Sequence, residues 1–323
     1  VDIFVQYRPW IDRINQCLLE SVSPQLPRTL SDPINYFLNN PSKKIRPLLS
    51  IFCCEAVGGN AEDAIPAATA IELFHDFTLI HDDIMDEDDM RRGKPTIHKK
   101  WDGGTAILVG DALIGLSFQQ LVKSPVNHLN EVVKIFSEAL VKVCEGQALD
   151  KSFETASQVN LDNYIDMIAK KTAWLFKASC EIGTIIGGGS PLQVEQLSQY
   201  GFRLGLAFQI QDDLLDFIAD ESILGKKIGS DFKMDKKTYI TLKYQSILNE
   251  NPGLAERYPL NEADYPSLAD FQKALRELGI VNAVEMEINR YFDESMNSLR
   301  KALPHVNNHP LHQISSFLHD RQY

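Results

Sequence analysis

The chain has 323 residues, of which 44% are hydrophobic and 24% charged, and its formal net charge is -12. Such a composition can bury a core, excludes wholesale disorder and a membrane-embedded chain, and argues against nucleic acid as the main partner. No apolar run approaches the ~18–20 residues of a transmembrane span, and five cysteines without CxxC spacing fit reduced thiols in a cytoplasmic protein.

Apolar residues recur at three- and four-residue spacing and long alternating strand patterns are missing, so the sequence predicts an all-α bundle. In chain order, helices are expected near 2–20, 45–57, 61–89, 105–123, 128–155, 161–186, 192–219, 236–249, 267–279, 282–302 and 309–320. The first, VDIFVQYRPWIDRINQCLLE, mixes charged with apolar residues and reads as an amphipathic helix, not a signal peptide. Asn60 is placed to cap the helix at 61, and Pro47 suits a first turn. Gly58-Gly59, Gly187-Gly188-Gly189 and Asn251-Pro252-Gly253 read as stops or turns. No Gly- or Ser-rich linker divides the chain, so residues 1–323 are expected to form a single domain.

Two acidic pentads stand out from this pattern, DDIMD at Asp82 to Asp86 and DDLLD at Asp212 to Asp216. On a helix, Asp82 and Asp86 fall one turn apart on one face, as do Asp212 and Asp216, while Asp83 and Asp213 flank them. Carboxylates this close repel one another, so the pattern calls for compensating cations. Oxygen-only ligands select hard ions, and magnesium binds one or two carboxylates while leaving positions for water and substrate phosphate. One pentad alone would read as a solvated helix end; two with the same spacing predict a divalent-metal site. Basic residues lie close in sequence: Lys43 and Arg46 in SKKIRP, Arg91 and Arg92 after the first pentad, Lys171 in KKTAWLF, and Lys226, Lys227, Lys233, Lys236 and Lys237 after the second. With the acids, they point to magnesium-bound diphosphate and more than one phosphate subsite.

Taken in order, SKKIRP, ELFHDFTLIHDDIMD, RRGKPTIH, GDAL, KKTAWLF, FQIQDDLLD and GKKIGSD make the chain resemble the trans-isoprenyl diphosphate synthases of the polyprenyl synthetase family, short-chain type. The resemblance implies an all-α isoprenoid synthase-type bundle around a deep cavity, usually as a homodimer. It implies a Mg2+-dependent prenyltransferase, with three ions and the bound diphosphate, that joins isopentenyl diphosphate head-to-tail to dimethylallyl, geranyl or farnesyl diphosphate. Asp82, Asp83 and Asp86 would form the first metal sites and Asp212 the facing one, with Asp213 and Asp216 as weaker partners. Arg91, Lys171 and Lys226 would hold the allylic diphosphate, joined by Lys236. Lys43, Arg46, His75 and Arg92 would hold isopentenyl diphosphate, and Thr172 and Gln209 would turn oxygens toward the developing cation. The sequence departs from the family pattern at Pro41-Ser42, Asp235 and Ile240, which puts loop geometry in question.

The allylic chain is expected to grow along the helix leading into Asp82. At 1.5 Å per residue, Phe77 lies ~7.5 Å and Phe74 ~12 Å below that aspartate. Phe77 followed by Thr78, with no insertion in the first motif, resembles geranylgeranyl diphosphate synthases; farnesyl is the alternative product. The other classes weighed are a non-catalytic partner subunit, a terpene cyclase or head-to-head synthase, and, from His81-Asp82, an HD-type metal phosphohydrolase. Complete pentads oppose the first of these, the paired basic motifs the second, and the lack of further metal histidines in the second pentad the third. No stable membrane insertion is expected.

Overall fold

The computed structural model describes residues 3–156, 158–218, 236–259, 261, 264–304 and 309–320. The chain is all-α apart from one two-residue strand pair. It divides into two compact units that alternate along the sequence: Val1–Leu140, Ala178–Ser198 and Asn308–Ile314 in one; Val141–Lys177, Gln199–Asn307 and Ser315–Tyr323 in the other.

The first unit carries α1 (Ile3–Gln6), α2 (Arg8–Ser21), α3 (Arg28–Leu38), α4 (Ile45–Ala56), α5 (Ile65–Met85), α6 (Ile97–Lys100) and α7 (Gly103–Leu121). Its axis is α5, which is apolar almost all round and buries Ala67, Ala68, Ile71, Leu73, Phe74, Phe77 and Ile80. Helices α2, α4 and α7 pack against it. A Cβ added at Gly110 of α7 would sit 2.1 Å from His81 Nε2, so glycine leaves room for the imidazole of α5 at this approach. Helix α7 is long and apolar enough to cross a membrane by length and composition. It carries Asp111, and Val109, Leu113, Leu116 and Leu121 are buried within this unit, so packing accounts for one face of it, while Ile107 and Leu108 stay exposed.

Three local features differ from the expected elements. Helix α3 lies where none was expected, because Pro27 precedes it and Pro33 sits inside it, two residues that normally mark helix ends. It nonetheless buries Ile34, Phe37 and Leu38. The expected first helix is broken at Tyr7, since Pro9 opens α2. The expected helix 61–89 is a short 3-10 turn, Ala61–Ala64, followed by α5; Asn60 accepts from Glu62 N as its cap. Beyond Met85 the chain turns into antiparallel strands Met90–Arg91 and Lys94–Pro95. Arg92 and Gly93 both have positive φ (51° and 76°) in the connecting two-residue turn.

Helix α8 (Leu129–Phe153) runs from the first unit into the second. The second unit continues with α9 (Leu161–Ile168), a π-helical turn at Ala169–Ala173, the start of α10 (Trp174–Ile186) and most of α11 (Pro191–Ile218). After these come α12 (Tyr239–Glu250), α13 (Leu268–Glu277) and α14 (Ile280–Ala302), with the end of α15 (Pro310–His319). Its core gathers Tyr164, Ile168, Ile210, Leu214, Phe217, Ile240, Tyr244, Phe271 and Val284. Ile240, where the family pattern has proline, lies in the first turn of α12 and is fully buried. An N–H in that turn has no intrahelical acceptor, so proline and isoleucine fit the same backbone there.

Candidate active site

Each pentad closes or nearly closes a helix, and in both the three aspartates split the same way. In the first, Asp82 and Asp86 are partly exposed while Asp83 is buried. Asp83 Oδ1 accepts from Arg91 Nε at 2.6 Å, and Arg91 reaches toward Asp88 at 3.9 Å. Burial raises the Asp83 carboxyl to about 6, against the lowering pull of Arg91. Asp83 Oδ2 is buried with no hydrogen-bond donor among the described residues. An orphaned carboxylate oxygen beside two accessible aspartates fits a cation bound at that edge. Among the described residues no three acidic, histidine or cysteine side chains converge on one point. This suits an ion that takes one or two carboxylates and completes its shell with water and phosphate.

The predicted basic residues of this unit gather around α5. Arg46 Nη1 lies 3.2 Å from His75 Nε2. Burial, reinforced by Arg46, Arg92, Arg91 and Lys44, holds the His75 ring well below its ordinary value, so it is neutral and accepts from the guanidinium. Arg92 and Lys43 are exposed, with Lys43 Nζ 5.8 Å from the Phe4 ring centroid. Sequence reasoning missed Lys44, Glu72 and Asp76, which are all buried on the same side of this region. The signal available was two acids one helical turn apart within a run of otherwise apolar residues.

Burial raises the Asp76 carboxyl from 3.8 to about 7, with Lys44 opposing. The folded chain therefore keeps a proton that the unfolded chain has already released. The stability tied to Asp76 is full below the unfolded value and is lost as pH rises toward 7. Asp76→Asn keeps the side chain neutral throughout, so its Tm advantage over the parent is expected to be several degrees larger near pH 8 than near pH 5. Thermal melts at both pH values check this, and an equal difference at the two would contradict it.

Below the pentad, Phe74 and Phe77 stack with centroids 5.4 Å apart. Phe136 meets Phe74 edge-on at 5.3 Å, and His81 meets Phe77 at 5.7 Å. Thr78 Oγ1 donates back to the His75 carbonyl at 2.7 Å. His81 Nε2 also lies 3.4 Å from the Ile107 carbonyl, so packing accounts for that histidine.

In the second unit, Asp212 is exposed, Asp216 is partly exposed, and Asp213 is buried. Asp213 accepts from Tyr164 Oη, from Gln209 Nε2 at 2.9 Å and from Tyr239 N at 3.4 Å. Because a carboxylate can only accept, it fixes the Gln209 amide with nitrogen toward Asp213. The Gln209 oxygen then takes the Thr172 hydroxyl proton at 2.8 Å, leaving the Thr172 lone pairs turned away from Gln209. Thr172 and Lys171 both lie in the π turn, an insertion that re-aims side chains. Lys171 Nζ is 2.6 Å from Asp150 Oδ2. Lys236 precedes α12, its carbonyl accepting from Thr238 N at 3.0 Å. Lys226, Lys227, Lys233 and Asp235 lie outside the described residues.

The polyprenyl synthetase family profile matches residues 27–275. The chain belongs to the polyprenyl synthetase family. A short-chain isoprenyl diphosphate synthase of Methanothermobacter thermautotrophicus is 43% identical over 237 residues, 73% of each chain. A geranylgeranyl diphosphate synthase of Methanosarcina mazei is 37% identical over 300 residues, covering 92% of this chain and 91% of that one. Among solved structures, geranylgeranyl pyrophosphate synthetase from Pyrococcus horikoshii superposes with a TM-score of 0.89 at 33% identity, covering 99% of each chain. The all-α fold of this polyprenyl synthetase is thus shared with a solved prenyl synthetase.

Proposed function

We propose that this polyprenyl synthetase is a magnesium-dependent trans-prenyltransferase that condenses isopentenyl diphosphate head-to-tail with an allylic diphosphate, giving geranylgeranyl diphosphate. The observation that carries the reading is the shared division of the two pentads. The aspartates at the first and fifth positions stay accessible, while the one at the second position is held inside by protein donors, Arg91 at one pentad and Tyr164 with Gln209 at the other. Asp82, Asp86, Asp212 and Asp216 are the ion-binding carboxylates in this account. Asp83 keeps one oxygen for the ion, and Asp213 is a positioning residue. Magnesium, when bound, supplies Lewis-acid stabilisation of the departing diphosphate. Lys171 and Arg91, with Lys226 and Lys236, hold the allylic diphosphate; Lys43, Arg46, His75 and Arg92 hold isopentenyl diphosphate. The Thr172 lone pairs, oriented through Gln209, stabilise the allylic cation as the C–O bond breaks. The double bond of isopentenyl diphosphate then attacks the cation, and loss of a proton to the released diphosphate completes the new double bond.

Residues 1–323 act as one catalytic domain in this reading, since each compact unit is assembled from three separate stretches of chain. Free cysteines, with Cys53, Cys54 and Cys180 buried, support a reducing cytoplasmic setting. Ile107 and Leu108 of α7, 49% and 62% exposed, support a homodimer. Incubation with Mg2+, isopentenyl diphosphate and each of dimethylallyl, geranyl and farnesyl diphosphate tests the product assignment. Chromatography of the dephosphorylated products is expected to show the C20 alcohol as the main species from all three. A C15 main product from dimethylallyl or geranyl diphosphate would favour farnesyl synthesis instead.

The Phe77 ring, stacked on Phe74, is the floor that stops chain growth. Phe77→Ala is expected to shift the main product by at least one isoprene unit beyond C20. An unchanged distribution in the same chromatography would remove Phe77 from that role.

A further inference from the structure

Lys44, Glu72 and Asp76 are enclosed to an unusual degree, at 3%, 2% and 2% exposure. Lys44 Nζ donates to Glu72 Oε1 at 2.9 Å, and Ser42 Oγ donates to the same oxygen at 3.2 Å. Ser42 is one of the departures from the family pattern, and its hydroxyl makes a bond that glycine could not. Asp76 lies one turn beyond Glu72 on α5, and His75, the partner of Arg46, lies between them in sequence.

Stability does not account for this arrangement. Burial strips each ion of its hydration, and replacing a buried pair by apolar residues is commonly neutral or stabilising. Lys44 also takes a left-handed backbone conformation, φ 49°, which is costly for a residue with a side chain. That conformation precedes α4 directly, and along it Lys43 remains exposed while Lys44 is enclosed. The segment from Ser42 to Arg46 is thereby fastened to α5 at two successive levels. Ser42 and Lys44 hold Glu72, and Arg46 meets His75. Its ionised acid is set against Lys44 and its neutral imidazole against Arg46. The depressed basicity of His75 supports this division, because a protonated ring could not accept from a guanidinium.

We propose that the buried Lys44–Glu72 pair, with Asp76 beside it, is a positioning device that holds Arg46 and His75 in the geometry that receives the diphosphate of isopentenyl diphosphate. The inference rests on the prenyl-transfer reading above. Lys44 is enclosed and acts through its neighbours, not by touching substrate. Its loss therefore weakens one substrate's binding and leaves the chemistry at the allylic carbon in place.

The test is steady-state kinetics of the parent and of the charge-neutral double variant Lys44→Met/Glu72→Gln, varying each substrate at saturating levels of the other, with thermal melts alongside. The double variant is expected to fold and to show KM for isopentenyl diphosphate raised about tenfold or more, with KM for the allylic substrate and kcat within about threefold. Absence of turnover in the parent would defeat the prenyl-transfer reading itself. With an active parent, an unchanged KM for isopentenyl diphosphate, a parallel change in all three constants, or a double variant that does not fold would each overturn the positioning role.

Discussion

Asp82→Asn is expected to lower kcat by about 10²–10³ under saturating Mg2+ while leaving the Tm close to the parent's. Asp82 is partly exposed on the last turn of α5, and Asp86 stands one turn on, so the substitution removes a charge proposed to bind the ion without opening the core. Asp83→Asn is the informative contrast. Its side chain is 2% exposed, with Oδ1 bonded to Arg91 at 2.6 Å, so asparagine would put an NH2 group at the buried place where Oδ2 has no hydrogen-bond partner among the described residues, which costs ~1–3 kcal/mol of stability. Melts and steady-state rates on both variants separate the two roles. Activity of Asp82→Asn within tenfold of the parent, or a Tm loss matching that of Asp83→Asn, would contradict the assignment.

Gly146→Ala is expected to be nearly as damaging, for a different reason. A Cβ there would lie 2.2 Å from Lys171 N, 2.6 Å from Lys171 Cα and 2.8 Å from Lys170 C, all backbone atoms. The π turn at Ala169–Ala173 must move, and overpacking of this kind costs ~1–3 kcal/mol. Because Lys171 and Thr172 ride on that turn, a displacement of ~1 Å is expected to lower turnover by about 10² as well. Gly115→Ala on α7 is the control, since its Cβ would meet nothing within 4 Å. It is expected to leave activity unchanged and to raise stability slightly through helix propensity. A Gly146→Ala protein with parental kcat and Tm would show that the π turn tolerates displacement.

Much of the fold was legible because apolar spacing in α2, α13 and α14 is helical, because α5, α7 and α11 are long stretches of helix-forming residues without internal breaks, and because the pentads lie at helix ends. The helix at Arg28–Leu38 was not legible, since Pro33 carries the usual signal of a helix break, and only the burial of Ile34 and Phe37 overrides it. The π turn was hidden inside a continuous helical pattern; Gly146 on α8 and Gly205 on α11 admit its close approach, since a Cβ at Gly205 would sit 2.7 Å from Ala173 Cα. At the site, residue types were readable but directions were not. Lys43 and Lys44 are indistinguishable in sequence, and a left-handed φ at Lys44 encloses one while the other stays exposed. Likewise the middle aspartates, Asp83 and Asp213, look equivalent to their neighbours until Arg91, Tyr164 and Gln209 are seen to bind them.

The most direct measurement is the fate of labelled isopentenyl diphosphate incubated with the protein, dimethylallyl diphosphate and Mg2+, followed by the same incubation after chelation. Label is expected in a C20 diphosphate in the first case and in nothing beyond the starting material in the second. Label incorporation that survives chelation, or conversion of the allylic substrate to alcohol and phosphate with no chain growth, would contradict it.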